Sequence, residues 1–257
     1  MTVAVFQKMF NRQLWWVTVL VLLIMVFFVR MGLWQLDRMQ EKQALNALVV
    51  ERYRLPVLTL PGDAAGLTPD ELAYRRVTVS GTYDYAEQMR IRGQFVDGEL
   101  GQRLITPLVL GDGSAVLVDR GWVPYESLPA ADVARFDEGS QVTVLGSLRP
   151  SEPLPAGLSP EQSGSIPPEW TQMDVAAMDG TVGPTLFPLF VHQEAEPDRP
   201  FAALPLREEA TIELSGGTHL SYAVQWFSFA LLAGFSYFMV LRMRVQRARR
   251  GGITSNE

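Results

Sequence analysis

Only two imidazoles occur in this 257-residue chain, and one of them, His219, stands at the head of the apolar run "HLSYAVQWFSFALLAG". On a helix, His219, Tyr222, Ala223, Trp226 and Ala230 recur at i, i+3, i+4, i+7 and i+11 and share one face. An imidazole above aromatic rings and small residues suits one chemistry in particular. It could ligate the iron of a flat, apolar macrocycle, because haem iron takes an axial histidine. The same residues are equally explained with no ligand at all, since Tyr and Trp favour the membrane–water boundary and a histidine there costs little. Arg30 carries the same two readings: it snorkels to lipid headgroups, or its planar guanidinium meets the carboxylates of such a macrocycle. Gln225, about 9 Å deeper than His219 by helical rise, needs a polar partner in an apolar setting. Ala230 and Gly234, four apart, offer a small surface for a second helix.

Other chemistry has little to stand on. His192, followed by Gln193 and Glu194 in a strand-like run, reads as a hydrogen-bonded edge histidine. The chain has no cysteine, which removes disulfides, thiolate metal sites, covalent c-type haem and cysteine-based copper carriage. There is no H-E-x-x-H, G-x-S-x-G or P-loop, and the carboxylates are scattered as solvated charges would be. No catalytic residue is assigned, and an enzyme is not expected.

These side chains must be positioned by two apolar segments. "LWWVTVLVLLIMVFFVRMGLW" (Leu14 to Trp34) has 21 residues and would span about 31 Å as a helix, the thickness of a bilayer's hydrocarbon core. His219 to Leu241 has 23 residues and is followed by Arg242, Arg244, Arg247, Arg249 and Arg250. The first segment is too long for a signal peptide, and bulky Arg30, Met31 and Trp34 stand where a small-x-small cleavage site would lie. Five arginines after the second mark a membrane face. Both flanks are basic, so both termini are expected in the cytoplasm and the segment between them on the outer side of a bacterial inner membrane, in the periplasm. The expected division is a tail over 1–13, a span over 14–34, a domain over 35–218, a span over 219–241 and a basic tail over 242–257.

The formal charge of −6 hides a strong asymmetry. Between Gln35 and Thr218 there are 14 Lys/Arg against 27 Asp/Glu, a formal −13. A nucleic-acid partner is excluded for that region, because phosphate binding needs a basic face. Leu36, Met39, Leu45 and Leu48 share an apolar side, so the first span extends as a helical stalk that Pro56 ends. Strands are expected over Tyr74–Tyr83, over the two halves of "RLITPLVLGDGSAVLVDRGWVP" joined at Gly111-Asp112-Gly113, over Gln141–Pro150 and over Thr185–Gln193. A short helix is expected over Met173–Met178, and the six prolines from Pro150 to Pro168 mark a loop. The fold class is a two-span α-helical membrane hairpin enclosing one β-rich α+β domain, an antiparallel barrel or sandwich.

Three motifs in series give the chain a family likeness. "MGLWQLDRMQEK" supplies Gly32, Trp34, Gln35 and Arg38; "VLVDRGWVP" supplies Arg120, Gly121, Trp122, Val123 and Pro124; "HLSYAVQWF" supplies His219, Tyr222 and Trp226. "PPEWTQMDVAAM" is a weaker echo. In this order the chain resembles the Surfeit locus (Surf-one or Shy-one) family of cytochrome c oxidase assembly factors, from residue 32 to 227. Thr218 stands where the family often has Asn. The resemblance implies a non-enzymatic helper that assists haem A delivery into subunit I of cytochrome c oxidase, alongside other assembly factors and within membrane lipid. It implies transient haem A binding, with His219 as axial iron ligand, Tyr222 and Trp226 flanking, and Arg30 or Arg38 near the propionates. A cofactor-free membrane chaperone acting through protein contacts is the alternative, and an outer-face hydrolase the weakest reading.

Overall fold

The computed structural model describes residues 15–125, 130–151, 153, 169–196, 198–200, 203–207 and 217–251. The expected N-terminal tail lies outside this set, as do residues 252–257 and the greater part of the proline-rich loop between Pro150 and Pro168, whereas residues 242–251 of the expected C-terminal tail continue the C-terminal helix. The chain divides into two compact units, one comprising 1–47 with 214–257 and the other 48–213.

The first unit is a helix pair. Helix α1 runs unbroken over Trp15–Tyr53, its last turn and a half belonging to the second unit. The long C-terminal helix covers His219–Gly251. Both are long and apolar enough to cross a membrane, and only 11% of the most apolar window of each is buried. That low figure separates them from core helices of a soluble fold, whose apolar faces are covered by protein. Leu23, Val26, Leu231 and Phe235 all stay more than half exposed, a surface that suits lipid. The helices run antiparallel. Gln35 meets His219, Phe28 meets Trp226 and Phe229, Gly234 faces Met25, and the Thr18 hydroxyl bonds the Tyr237 hydroxyl. Small residues set the approach: Ala223 and Ala230 are buried, and a Cβ at Gly32 would lie 2.6 Å from the Phe227 ring.

The second unit is a small barrel with additions. Strands β1 (Leu58–Leu60), β2 (Arg76–Tyr83), β3 (Met89–Val96), β4 (Glu99–Val109), β5 (Ala115–Pro124), β6 (Gln141–Pro150), β7 (Glu169–Trp170) and β8 (Leu189–Gln193) form one sheet in the order β1-β2-β6-β8-β5-β4-β3-β7. A further pairing of β2 with β4, through Thr82–Val109 and Tyr83–Leu108, closes five of these strands into a ring. Val77, Val79, Leu108, Val116, Val118, Val144, Leu148 and Val191 fill its interior. A second cluster, including Met89, Ile91, Leu117, Trp170 and Met178, covers the outside of β3, β4 and β5. That double coverage explains why β5 is buried from Ala115 to Val123 and reads as an almost continuous apolar run. Short helices α2 (Pro69–Leu72) and α3 (Val175–Asp179) decorate the sheet, and α4 denotes the long His219–Gly251 helix.

The expected antiparallel sheet is corrected to a mixed one. β1 pairs parallel with β2, β3 with β7, and β5 with β8. Each parallel partner is far along the chain or reached by a crossover, so local turn signals do not reveal it. The β4–β5 hairpin forms where Gly111-Asp112-Gly113 predicts. Gly113 sits at φ 85°, and Asp112 accepts a bond from the Ser114 backbone N–H at 3.0 Å. Strand β3 was not foreseen. Its turn into β4 is Asp97-Gly98, both at positive φ, a sequence signal that was available.

Candidate functional site

His219 is the first residue of α4. Its Nδ1 lies 2.9 Å from Oε1 of Gln35, 184 positions away on α1. A carboxamide oxygen only accepts, so the contact suits the tautomer with the proton on Nδ1, which in the neutral ring leaves the lone pair on Nε2. The Nε2 edge faces Gly217, which sits in the left-handed region at φ 64°. A Cβ there would lie 3.2 Å from Nε2 and 2.9 Å from Cδ2, so any side chain at 217 would fill the space beside the donor nitrogen. Both His219 and Gln35 are half-buried. This is the arrangement that imidazole ligation of a metal calls for, with one ring nitrogen held by a hydrogen bond and the other presented.

The remaining expected site residues divide. Tyr222 is 49% exposed, while Trp226 is packed between the helices, with ring centroids 5.7 Å from Phe28 and 6.2 Å from Phe27. Its indole therefore serves helix packing. Arg30 is exposed, and among the described residues it makes no ion pair. Arg38 bonds Glu41 at 2.6 Å, an exposed pair one turn along the helix, and its guanidinium lies 5.8 Å from the Trp34 ring. Such a pair contributes little and exchanges readily. Gln225 lies on the exposed side of α4. No cluster of three or more His, Cys, Asp or Glu occurs among the described residues, so a metal here would rely on a single imidazole.

In the second unit the Arg-Gly-Trp-Val-Pro motif is built into the barrel wall. Arg120 has no exposed surface. It donates to Gln88 Oε1 at 2.9 Å and to the Phe136 carbonyl, with the Tyr83 and Tyr85 rings each 5.1 Å from its guanidinium carbon. Arg207, also buried, donates to the Arg120 carbonyl at 3.0 Å and pairs with Glu138 and Glu196. Gly121 sits at φ 123°. A Cβ there would come within 2.5 Å of the Leu206 carbonyl, and Trp122 and Leu206 exchange both backbone bonds beside it. The Trp122 indole donates to the Gln94 carbonyl at 3.0 Å, and Pro124 ends β5. These roles are architectural.

A polar group that sequence reasoning missed adjoins this motif. Asp119 is buried; it accepts from Arg103 at 2.9 Å and lies 3.1 Å from His192 Nδ1. Burial alone would raise its pKa, but Arg103, His192 and the Gly121 N–H more than offset this and hold the carboxyl at about 2. His192 is hydrogen-bonded as expected, but β8 lies between β5 and β6, so the strand is internal rather than an edge. Its partner could not be foreseen, because the parallel β5–β8 pairing aligns residues 73 positions apart.

Comparison with known proteins adds an independent line. A family model described as the SURF1 family matches residues 22–231. A SURF1-like protein of Monosiga brevicollis is 28% identical over 86% of this chain and 84% of its own length. A SURF1-like protein of Mycobacterium bovis is 30% identical over 85% of this chain and 80% of its own. Surfeit locus protein 1 of Mus musculus is 24% identical over 81% of this chain and 70% of its own.

Proposed function

Because the chain belongs to the SURF1 family, we propose that it is a non-enzymatic, membrane-anchored assembly factor for a haem–copper oxidase, assisting haem A delivery into the oxidase's subunit I. The basic flanks support an inner-membrane hairpin with both termini cytoplasmic and the β-domain periplasmic. One observation carries the cofactor reading: the Gln35–His219 bond at 2.9 Å joins the first and third motifs and leaves a lone pair at Nε2.

Haem, if bound, would supply an iron centre that takes a nitrogen donor. His219 Nε2 would be that donor. Gln35 keeps the proton on Nδ1 and fixes the ring plane. Gly217 leaves the approach to Nε2 open, and half-exposed Tyr222 flanks it. Arg30, exposed and not ion-paired among the described residues, would meet propionate carboxylates; Arg38 would do so only by releasing Glu41. Protein purified from cells making haem A should show a Soret band that His219→Ala weakens at least tenfold. An undiminished band in that variant removes His219 from the site.

The packed position of Trp226 against Phe27 and Phe28 favours a second reading, in which the helix pair docks on oxidase subunits with no cofactor. That version expects co-purification with subunit I and no haem after thorough delipidation.

A further inference from the structure

The β-domain carries a cleft of about 440 Å³ on the outer face of the sheet, within the size range of small-molecule sites. Register explains its chemistry. Arg149 of β6 pairs with Phe190 of β8, and His192, two residues on from Phe190, pairs in parallel with Asp119 of β5. Alternation places Phe190 and His192 on one face, and all four residues line the cleft together with Ile91 and Met173.

The charges there do not cancel. Asp119 is matched by Arg103 at 2.9 Å and by His192 at 3.1 Å. Arg149 has a different environment: its guanidinium carbon lies 5.6 Å from the Tyr74 ring, and among the described residues it makes no ion pair. A half-buried guanidinium with no ion pair among the described residues thus opens onto a cavity lined by Phe190, Ile91 and Met173, inside a region whose formal charge is −13, from 14 Lys/Arg against 27 Asp/Glu. General anion attraction cannot explain binding to so acidic a domain. Only a local, shaped site can.

We propose that this cleft binds a small amphipathic carboxylate, its anionic group bidentate on Arg149 and its apolar body against Phe190 and Met173. The site is independent of the helix pair and of the function proposed above.

The test uses the full-length chain in lipid nanodiscs, with methionine methyl groups carbon-13 labelled and sodium benzoate as probe. The Met173 resonance, assigned by Met173→Leu, should shift saturably with benzoate and at least tenfold more weakly with benzyl alcohol. Arg149→Gln should raise the benzoate dissociation constant at least tenfold, and Arg149→Lys, which keeps the charge without the planar fork, should fall between. Circular dichroism spectra matching wild type certify that the variants fold. N-acetylglutamate amide, a peptide-like carboxylate, should bind more weakly than benzoate. The proposal is overturned by a non-saturable shift, by equal affinity in Arg149→Gln, or by tighter binding of the glutamate derivative.

Discussion

In the β-domain, Arg120 has no exposed surface, and carbonyl, carboxamide and aromatic partners surround its guanidinium. In the helix pair, His219 is half-buried, with one side-chain hydrogen bond among the described residues, to Gln35. Both belong to the motifs on which the sequence resemblance rests, yet their physical positions differ in kind. Removing Arg120 strands buried partners, whereas removing His219 strands only Gln35 at a boundary. A motif residue enclosed by buried polar and aromatic partners is explained by the fold. One that leaves a donor nitrogen presented on a rim, with a glycine keeping the space clear, is not.

The contrast is broken most severely at Arg120. Arg120→Met takes a charged donor from two buried acceptors, Gln88 Oε1 and the Phe136 carbonyl, while Glu138 keeps Arg207; at about 1.5–3 kcal/mol for each such bond it should cost roughly 3–5 kcal/mol of domain stability. Urea denaturation followed by circular dichroism measures this; a loss below about 1 kcal/mol would show the arginine dispensable to the fold.

Asp119 gives a smaller, pH-dependent effect. Its carboxyl is held at about 2, below the ordinary aspartate value of about 3.9. A depressed folded pKa means the ionised form stabilises the native state. The stabilisation is therefore complete above about pH 4 and lost as pH falls toward about 2, and it amounts to on the order of 2 kcal/mol. Asp119→Asn should flatten the acid limb of the stability curve, and an unchanged limb would assign acid unfolding to other carboxylates.

The smallest expected effect lies in the helix pair. His219→Ala should change thermal stability by less than about 1 kcal/mol, since only one partly exposed bond is lost. A large destabilisation would make His219 as architectural as Arg120.

Much of this was legible in the sequence, for local reasons. The two long apolar helices follow from run length, and the β4–β5 hairpin from its Gly-Asp-Gly turn. Strand β3 escaped because Arg90 and Arg92 interrupt its apolar residues, although Arg90 is buried against Glu169 at 2.7 Å. Barrel closure through β2–β4 and the parallel β5–β8 pairing depend on contacts distant in sequence, which periodicity does not encode. For the same reason the Asp119–His192 contact was out of reach, and the cleft above it with them. The Gln35–His219 contact was half-visible: both residues stood in quoted motifs, but only the packing of α1 on α4 joins them.

The most direct test of the central claim is the Soret absorbance per polypeptide of Gln35→Leu, purified from cells that synthesise haem A. Losing the carboxamide frees the imidazole tautomer and ring plane, so the band should fall roughly tenfold or shift while the helix content stays that of wild type. A Gln35→Leu spectrum indistinguishable from wild type would contradict the claim that the joined motifs form the ligand site.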